Sequence, residues 1–100
     1  MQDAAQLSAV LKALSDPVRL RLMSMIASSI GEACYCDLNN RFDLTQPTIS
    51  HHLKVLFDVG LIDREKRGVW VYYRPRPHIL AGLAYLFAPT PAAPSATATT

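Results

Sequence analysis

The chain lacks the features that mark membrane proteins, secreted proteins and disulfide scaffolds. Its 100 residues contain no run of eighteen apolar residues, so no membrane-spanning helix and no membrane partner are expected. Residues 1–11 carry neither a basic head nor a long apolar stretch, which argues against a signal peptide. Two cysteines are too few for a secreted disulfide framework. These absences predict a cytoplasmic protein.

Charge is also sparse, and it is unevenly placed. The net charge of +2 permits nucleic-acid binding without arguing for it. The net charge is +3 between residues 41 and 76 and −1 over the rest of the chain. Half of the residues are apolar, which is enough for one small core in a chain that buries about two thirds of its unfolded surface. The local positive charge is therefore more informative about nucleic-acid binding than the net charge of the whole chain.

Apolar periodicity predicts two helices in the first third of the chain. Residues 3–14 repeat apolar side chains at i, i+3, i+4 and i+7, as an amphipathic helix does. Asp16 then stands as an N-cap before Pro17, a pairing that is typical of a helix start. The second helix is predicted over residues 17–29 and ends before Gly31.

A helix-turn-helix is predicted next. A short third helix begins near Asp37, residues 42–44 form a tight link, and Thr45 caps a longer helix that ends at Gly60. The longer helix turns Ile49, Leu53 and Leu56 toward the core. The opposite face and its shoulders carry groups that can donate to phosphates and base edges in a major groove. These candidate DNA-binding residues are Gln46, Thr48, Ser50, His51 and Lys54. His52 lies nearer the core side and is predicted to be packed and hydrogen-bonded.

After the longer helix, the spacing of apolar residues is no longer helical. Residues 61–65 and 69–74 are β-prone and flank a basic turn that holds Lys66, Arg67 and Gly68. A hairpin that follows a helix-turn-helix is typical of the wing of a winged helix. Lys66 and Arg67 are therefore candidate contacts to the minor groove or the adjacent backbone. The predicted fold class is mainly α with a small β-hairpin, in the order α-α-α-α-β-β-α.

A last apolar helix is predicted over residues 78–87, and a charge-free tail rich in proline, alanine and threonine follows at 88–100. The tail is predicted to be disordered, so residues 1–87 form the domain. The first and last helices carry more apolar surface than a small unit can hide. Pairing with a second copy would bury both, and a homodimer through the terminal helices is expected.

Several of these segments together resemble the ArsR/SmtB family of metal-responsive repressors. The matching stretches are residues 13–20, 34–38, 45–54 and 60–62. The resemblance implies a dimeric repressor that binds double-stranded operator DNA without its ion and releases it on capturing one. It is closest to the arsenic-responsive branch, whose sensor motif reads Glu-x-Cys-x-Cys-Asp-Leu-Cys. Glu32, Cys34, Cys36, Asp37 and Leu38 match this motif, while Asn39 stands in the last position.

The resemblance makes Cys34 and Cys36 the candidate ion ligands, with As(III) or Sb(III) as the regulatory ligand. Thiolates are soft ligands and suit such ions. Because Asn39 replaces the third cysteine, we expect a small-molecule thiol such as glutathione, or a solvent oxygen, to supply the third ligand. Side chains at i and i+2 of a regular helix point about 200° apart, so we expect ion binding to unwind the first turn of the third helix.

Other interpretations remain open on the sequence. The cysteines could be ordinary half-buried core residues or a redox switch. The same fold could answer to cadmium, to lead or to a thiol oxidant. A small cysteine-dependent enzyme is disfavoured, since no glycine-rich loop or paired carboxylates accompany the cysteines and no catalytic cofactor is expected. A zinc-stabilised module would need four ligands at finger spacing, and a zinc site on the last helix would have only His78.

Overall fold

The computed structural model describes residues 4–29 and 31–87, and side-chain caps set where its two longest helices begin. Asp16 Oδ1 accepts hydrogen bonds from the N–H groups of Val18 and Arg19 at 2.8 and 3.2 Å. Thr45 Oγ1 accepts one from the Thr48 N–H at 3.4 Å. Each cap satisfies a backbone donor that the first helical turn leaves without a partner. Both predicted starts are confirmed.

Five helices and three strands follow one another in the described part of the chain. The helices are α1 Ala4–Ala13, α2 Pro17–Ser28, α3 Tyr35–Asn39, α4 Gln46–Asp58 and α5 Pro77–Phe87. The strands are β1 Ala33–Cys34, β2 Ile62–Arg67 and β3 Trp70–Pro75. The winged helix-turn-helix is therefore present, but the predicted order omitted β1. Two residues are too few to show the alternation that reveals a strand in a sequence.

The wing is the outer part of a three-stranded antiparallel sheet with strand order β1-β3-β2. Cys34 of β1 and Glu65 of β2 both pair with Tyr72 in the central strand. Gly68 opens the two-residue hairpin turn with φ of 63°, which a residue with a Cβ rarely adopts. The sheet thus joins the cysteine segment to the wing.

One core is shared by the helices and the inner face of the sheet. Ile49, Leu53 and Leu56 of α4 are at most 1% exposed, which confirms the predicted inward stripe. They pack with buried side chains from α1, α2, α3, the sheet and α5, namely Val10, Leu22, Ile26, Leu38, Leu61, Ile62 and Ile79. Burying an aliphatic side chain of this size stabilises the fold by about 1.5–3 kcal/mol. The core fixes how α4 presents its outer face.

Helix α5 ends in exposed apolar side chains. Tyr85 is 81% exposed and Phe87 is 72% exposed, although most of the apolar residues of a small domain belong inside it. No helix within residues 4–29 and 31–87 combines the length and the apolar character needed to cross a bilayer. The predicted tail at 88–100 lies outside the described residues.

Candidate functional site

The two cysteines meet at the junction of β1 and α3. Cys34 is the last residue of β1 and the N-cap of α3, with extended backbone angles (φ −77°, ψ 143°). Cys36 is in the first turn of α3. Their Sγ atoms lie 2.8 Å apart, and both side chains are half-buried free thiols. The site therefore presents two converging sulfurs.

This geometry corrects one prediction from the sequence. We expected Cys34 and Cys36 to point apart on a helix, so that ion binding would unwind the first turn. The expectation was wrong because Cys34 precedes the helix: its extended backbone turns the side chain back toward Cys36. No unwinding is needed to bring the two sulfurs together.

The chemistry of the pair fits a soft ion. The hydrogen bond with Cys34 raises the pKa of the Cys36 thiol above its usual value, and burial and the negative charge of Asp37 act in the same direction. The neutral form of the Cys36 thiol is thus favoured, and its ligation must release a proton. Among the residues described, no three His, Cys, Asp or Glu side chains are grouped as a metal site. The third ligand of the predicted ion site stays a prediction.

An ion-pair network lies beside the cysteines on the outer face of the sheet. The Arg67 guanidinium donates to Glu32 Oε2 and Oε1 at 2.6 and 2.8 Å and to Glu65 Oε1 at 2.9 Å. Arg74 reaches the same two acids, Glu65 at 3.0 Å and Glu32 at 3.5 Å. Arg67 also stacks over the ring of Tyr72, 4.4 Å from its centroid. Glu32 belonged to the matched motif, but its partner could not be read from the sequence.

Tyr35 connects the cysteine pair to the start of α4. Its hydroxyl donates to the Gln46 carbonyl oxygen at 3.3 Å and lies 3.5 Å from Ser50 Oγ. Its position between Cys34 and Cys36 in the sequence gave no sign of this contact. The segment that carries the sulfurs thus touches the first turn of the helix predicted to read DNA.

The outer face of α4 carries the predicted DNA-binding side chains. Gln46, Ser50, His51 and Lys54 are exposed, and Thr48 is half-buried. Thr48 Oγ1 shares a 2.8 Å hydrogen bond with Thr45 Oγ1, and Lys54 Nζ lies 2.8 Å from Asp58 Oδ2. Four of the five side chains are therefore accessible from outside the protein, while Thr48 lies at the edge of the core, and their contacts with DNA stay predictions.

His52 faces inward, as predicted. It is half-buried, and its Nδ1 lies 3.2 Å from Arg19 Nη1. Arg19 Nε donates in turn to the Ala13 carbonyl oxygen at 2.6 Å. This chain of contacts ties α4 to the ends of α1 and α2, so the prediction of a packed, hydrogen-bonded histidine is confirmed.

The two basic residues of the wing differ in their surroundings. Both Lys66 and Arg67 are exposed, but the guanidinium of Arg67 is directed across the sheet to Glu32 and Glu65. A DNA contact by Arg67 would have to compete with two carboxylates. The predicted contacts of Lys66 and Arg67 with DNA stay predictions.

Residues 16–64 match the family model for "Bacterial regulatory protein, arsR family". Among similar proteins is an arsenical resistance operon repressor of Staphylococcus aureus, 43% identical over 75 residues that cover 75% of this chain and 70% of the relative. This chain belongs to the ArsR family. Another relative, the arsenical resistance operon repressor of Escherichia coli strain K12, is 45% identical over 73 residues, which are 73% of this chain and 62% of that protein. The chain therefore spans about three fifths of that relative's length.

Solved structures show the same ArsR-family fold. A possible transcriptional regulator for arsenical resistance is 37% identical with a TM-score of 0.70, covering 78% of this chain and 79% of that one. The homodimeric winged helix-turn-helix domain Mb0332 from Mycobacterium bovis is 26% identical with a TM-score of 0.68, covering 86% of this chain and 83% of that one. The predicted fold class is thus confirmed.

Proposed function

We propose that this ArsR-family protein is a homodimeric transcriptional repressor that releases operator DNA when Cys34 and Cys36 bind trivalent arsenic or antimony. The observation that carries the proposal is the 2.8 Å contact between two thiols at the start of the first helix of the helix-turn-helix. The names of the relatives support it, since those from E. coli and S. aureus are both arsenical resistance operon repressors.

Cys34 and Cys36 would hold the ion as thiolates, because sulfur ligands suit soft ions. Only two cysteines occur in the chain, and no third protein ligand is grouped with them among the described residues. We therefore assign the third position to a small-molecule thiol such as glutathione or to a solvent oxygen. A bound ion would join the two cysteines through a bond to each sulfur, whereas the free thiols share only a hydrogen bond.

Tyr35 is the proposed route from the sulfurs to α4. Binding as thiolates removes the proton that joins the two sulfurs, so their present hydrogen bond cannot persist. Tyr35 lies between them, and a change in their separation moves its backbone. Its hydroxyl then shifts against Gln46 and Ser50 at the start of the recognition helix. A shift of this kind biases α4 between a DNA-competent and a DNA-incompetent position.

Operator binding is assigned to the outer side chains of α4 and to the wing. Gln46, Thr48 and Ser50 would contact bases or phosphates near the helix N-terminus, where the backbone N–H groups attract phosphate. His51 and Lys54 would contact the backbone farther along the helix. Lys66 would reach the DNA from the wing. Such a regulator acts in the cytoplasm, where bacterial DNA lies.

A binding titration tests the proposal. An operator fragment is first selected from a random DNA library, and its binding to the protein is then followed with arsenite, antimonite, cadmium, zinc and peroxide. We expect arsenite or antimonite to release the DNA at concentrations at which zinc does not. Cys34→Ser and Cys36→Ser should bind operator as tightly as the wild type and keep it in arsenite. Arsenite release that is unchanged in Cys34→Ser would refute the site.

Thiol oxidation is the second candidate signal, and the sulfur contact favours it. Hydrogen peroxide could take two electrons from the pair: an S–S bond forms, the O–O bond breaks, and the two thiol protons leave in two molecules of water. Bonding between residues so close in sequence strains the backbone, so we rank this second. Release by peroxide but not by arsenite, reversed by dithiothreitol, would put it first.

The remaining alternatives are disfavoured. The family is one of regulatory proteins, so a cysteine-dependent enzyme is not supported. A zinc-stabilised module would need four ligands, and no group of even three is present among the described residues.

A further inference from the structure

The contact between Glu32 and Arg67 joins two parts of the chain that are 35 residues apart. It is bidentate, with both guanidinium Nη atoms donating to the two carboxylate oxygens at 2.6 and 2.8 Å. Fork-to-fork pairs of this kind fix orientation as well as distance. Arg67 is 44% exposed and Glu32 27% exposed, so neither charge is far from water.

The pair crosses the whole width of the sheet. Glu32 directly precedes β1, Arg67 ends β2, and the two edge strands are separated by β3. The guanidinium bridges this gap by lying over the ring of Tyr72, the residue that pairs with Cys34 in the register. Without this bridge, β1 would be held to the wing mainly by two ladder positions and by the longer 3.5 Å ion pair between Glu32 and Arg74.

The bridge starts next to the thiol pair. Glu32 is two residues before Cys34, and β1 contains only Ala33 and Cys34. A strand of two residues is too short for its last residue to move while its first stays in place. Movement of Cys34 therefore reaches Glu32, and through it the arginine of the wing.

We infer that Glu32 and Arg67 are positioning residues that couple the Cys34–Cys36 pair to the wing. In the ion-free protein they hold the hairpin in the position in which Lys66 meets the operator. A change at the sulfurs displaces Glu32, frees Arg67 and lets the hairpin move. The inference rests on the proposed function and adds a second route, through the wing, to the route through Tyr35.

The test measures operator affinity with and without arsenite plus glutathione in the wild type, Glu32→Gln, Arg67→Gln and the double variant. Asp63→Asn is the matched control, because it removes one negative charge from β2 outside the bridge. A typical allosteric ligand changes affinity by about 5–150-fold, and we expect a factor in this range for the wild type and the control. In the three bridge variants, we expect the logarithm of this factor to be less than about half of its wild-type value. The double variant should lose no more of the response than either single variant.

The emission of Trp70 reports on the wing without DNA. It is the only tryptophan of the chain and pairs with Arg67 in the hairpin register. We expect arsenite with glutathione to change this emission in the wild type and in Asp63→Asn, and to change it much less in Glu32→Gln. Arg67→Lys, which keeps the charge but loses the fork, is the milder variant if Arg67→Gln does not fold by circular dichroism.

The outcomes separate the inference from the function on which it rests. A wild type that does not bind operator or does not respond to arsenite overturns the proposed function and the inference together. A responding wild type with an equal response in Glu32→Gln and Arg67→Gln overturns the inference alone, and Arg67→Lys takes the place of Arg67→Gln if that variant does not fold. Free-thiol titration must show that arsenite still protects both cysteines in Glu32→Gln. Loss of that protection would make Glu32 part of the ion site and overturn its positioning role.

Discussion

At the scale of single residues, the site depends on side chains that the protein places next to the sulfurs. Tyr35 directly follows Cys34 and Glu32 lies two residues before it, and each contacts a different element to which we assign DNA binding: Tyr35 contacts α4, and Glu32 contacts the wing. The cysteine segment is therefore a junction, and its neighbours decide what a change at the sulfurs does elsewhere.

Removing the hydroxyl of Tyr35 tests the route to α4. Tyr35→Phe keeps the ring that packs on the core but loses the contacts with Gln46 and Ser50. We expect operator binding in the absence of arsenite to change by less than about threefold, because two long, exposed hydrogen bonds contribute little. The concentration of arsenite that releases DNA should rise several-fold. Tyr85→Phe is the control, since its hydroxyl lies on α5. An identical release curve for Tyr35→Phe would eliminate this route.

Lys54 tests the contact of α4 with the DNA backbone. Its exposed pair with Asp58 is worth at most about 0.5 kcal/mol, so a phosphate can compete for the ammonium. Lys54→Gln should weaken binding to all sequences alike. It should also make the slope of log K against log salt shallower by about 0.9 per contact, hence by about 2 for a dimer. Lys12→Gln, on α1, should leave the slope unchanged. If Lys54→Gln also leaves it unchanged, Lys54 does not contact phosphate.

At the scale of secondary-structure elements, the wing is held by charge on its outer face and by the core on its inner face. Tyr73 is 7% exposed on the inner side, while Glu65, Arg67 and Arg74 form ion pairs on the outer side. Exposed ion pairs contribute little one at a time, but a network also fixes geometry. Changes in charge should therefore affect where the hairpin lies more than whether it folds.

The pH dependence of the wing follows from Glu65. Hydrogen bonds from Arg67 and Arg74 lower the pKa of Glu65 from 4.5 to about 2. The folded state therefore favours the carboxylate, and this stabilisation is fully present above pH 5 and disappears as the pH falls toward 2. Glu65→Gln should unfold at lower urea than the wild type at pH 7, and the two midpoints should converge near pH 2. The nearby charges Glu32, Asp63 and Arg64 remain in both proteins. Midpoints that stay equally far apart at every pH would contradict this assignment.

At the scale of the whole molecule, the described chain leaves a surface that a second copy would cover. Tyr85, Leu86 and Phe87 of α5 are 50–81% exposed, and Leu11 of α1 is 40% exposed. Exposed apolar groups of this kind mark protein interfaces. A symmetric dimer would bury them and would place two α4 helices for two half-sites.

Charge placed on α5 tests the dimer. Leu86→Glu and Phe87→Glu should each raise the dimer dissociation constant by at least about tenfold, because a desolvated carboxylate replaces an apolar contact. Sedimentation equilibrium measures this directly. Val69→Glu is the matched control, since Val69 is 84% exposed at the wing turn and should have no effect on assembly. A dimer equally tight in both α5 variants would place the interface elsewhere.

The sequence by itself determined the features that depend on neighbours along the chain. Helix starts follow from a capping side chain and a proline within a few residues, as at Asp16 and Thr45. The inward stripe of α4 follows from helical periodicity, and the wing turn follows from Gly68 between two β-prone runs. Each of these was predicted because its physical cause is local, although Lys66 and Arg67, predicted in the wing turn, are the last two residues of β2. The family resemblance likewise rested on short motifs in a fixed order.

Only the tertiary structure decided how distant segments meet. Strand β1 exists because β3 offers it a partner almost forty residues later, and that pairing gives Cys34 the extended backbone that turns its sulfur toward Cys36. The bridge from Glu32 to Arg67 likewise depends on the sheet that brings the two residues together. No local pattern encodes such contacts, because their free energy is gained only after the intervening helices have packed.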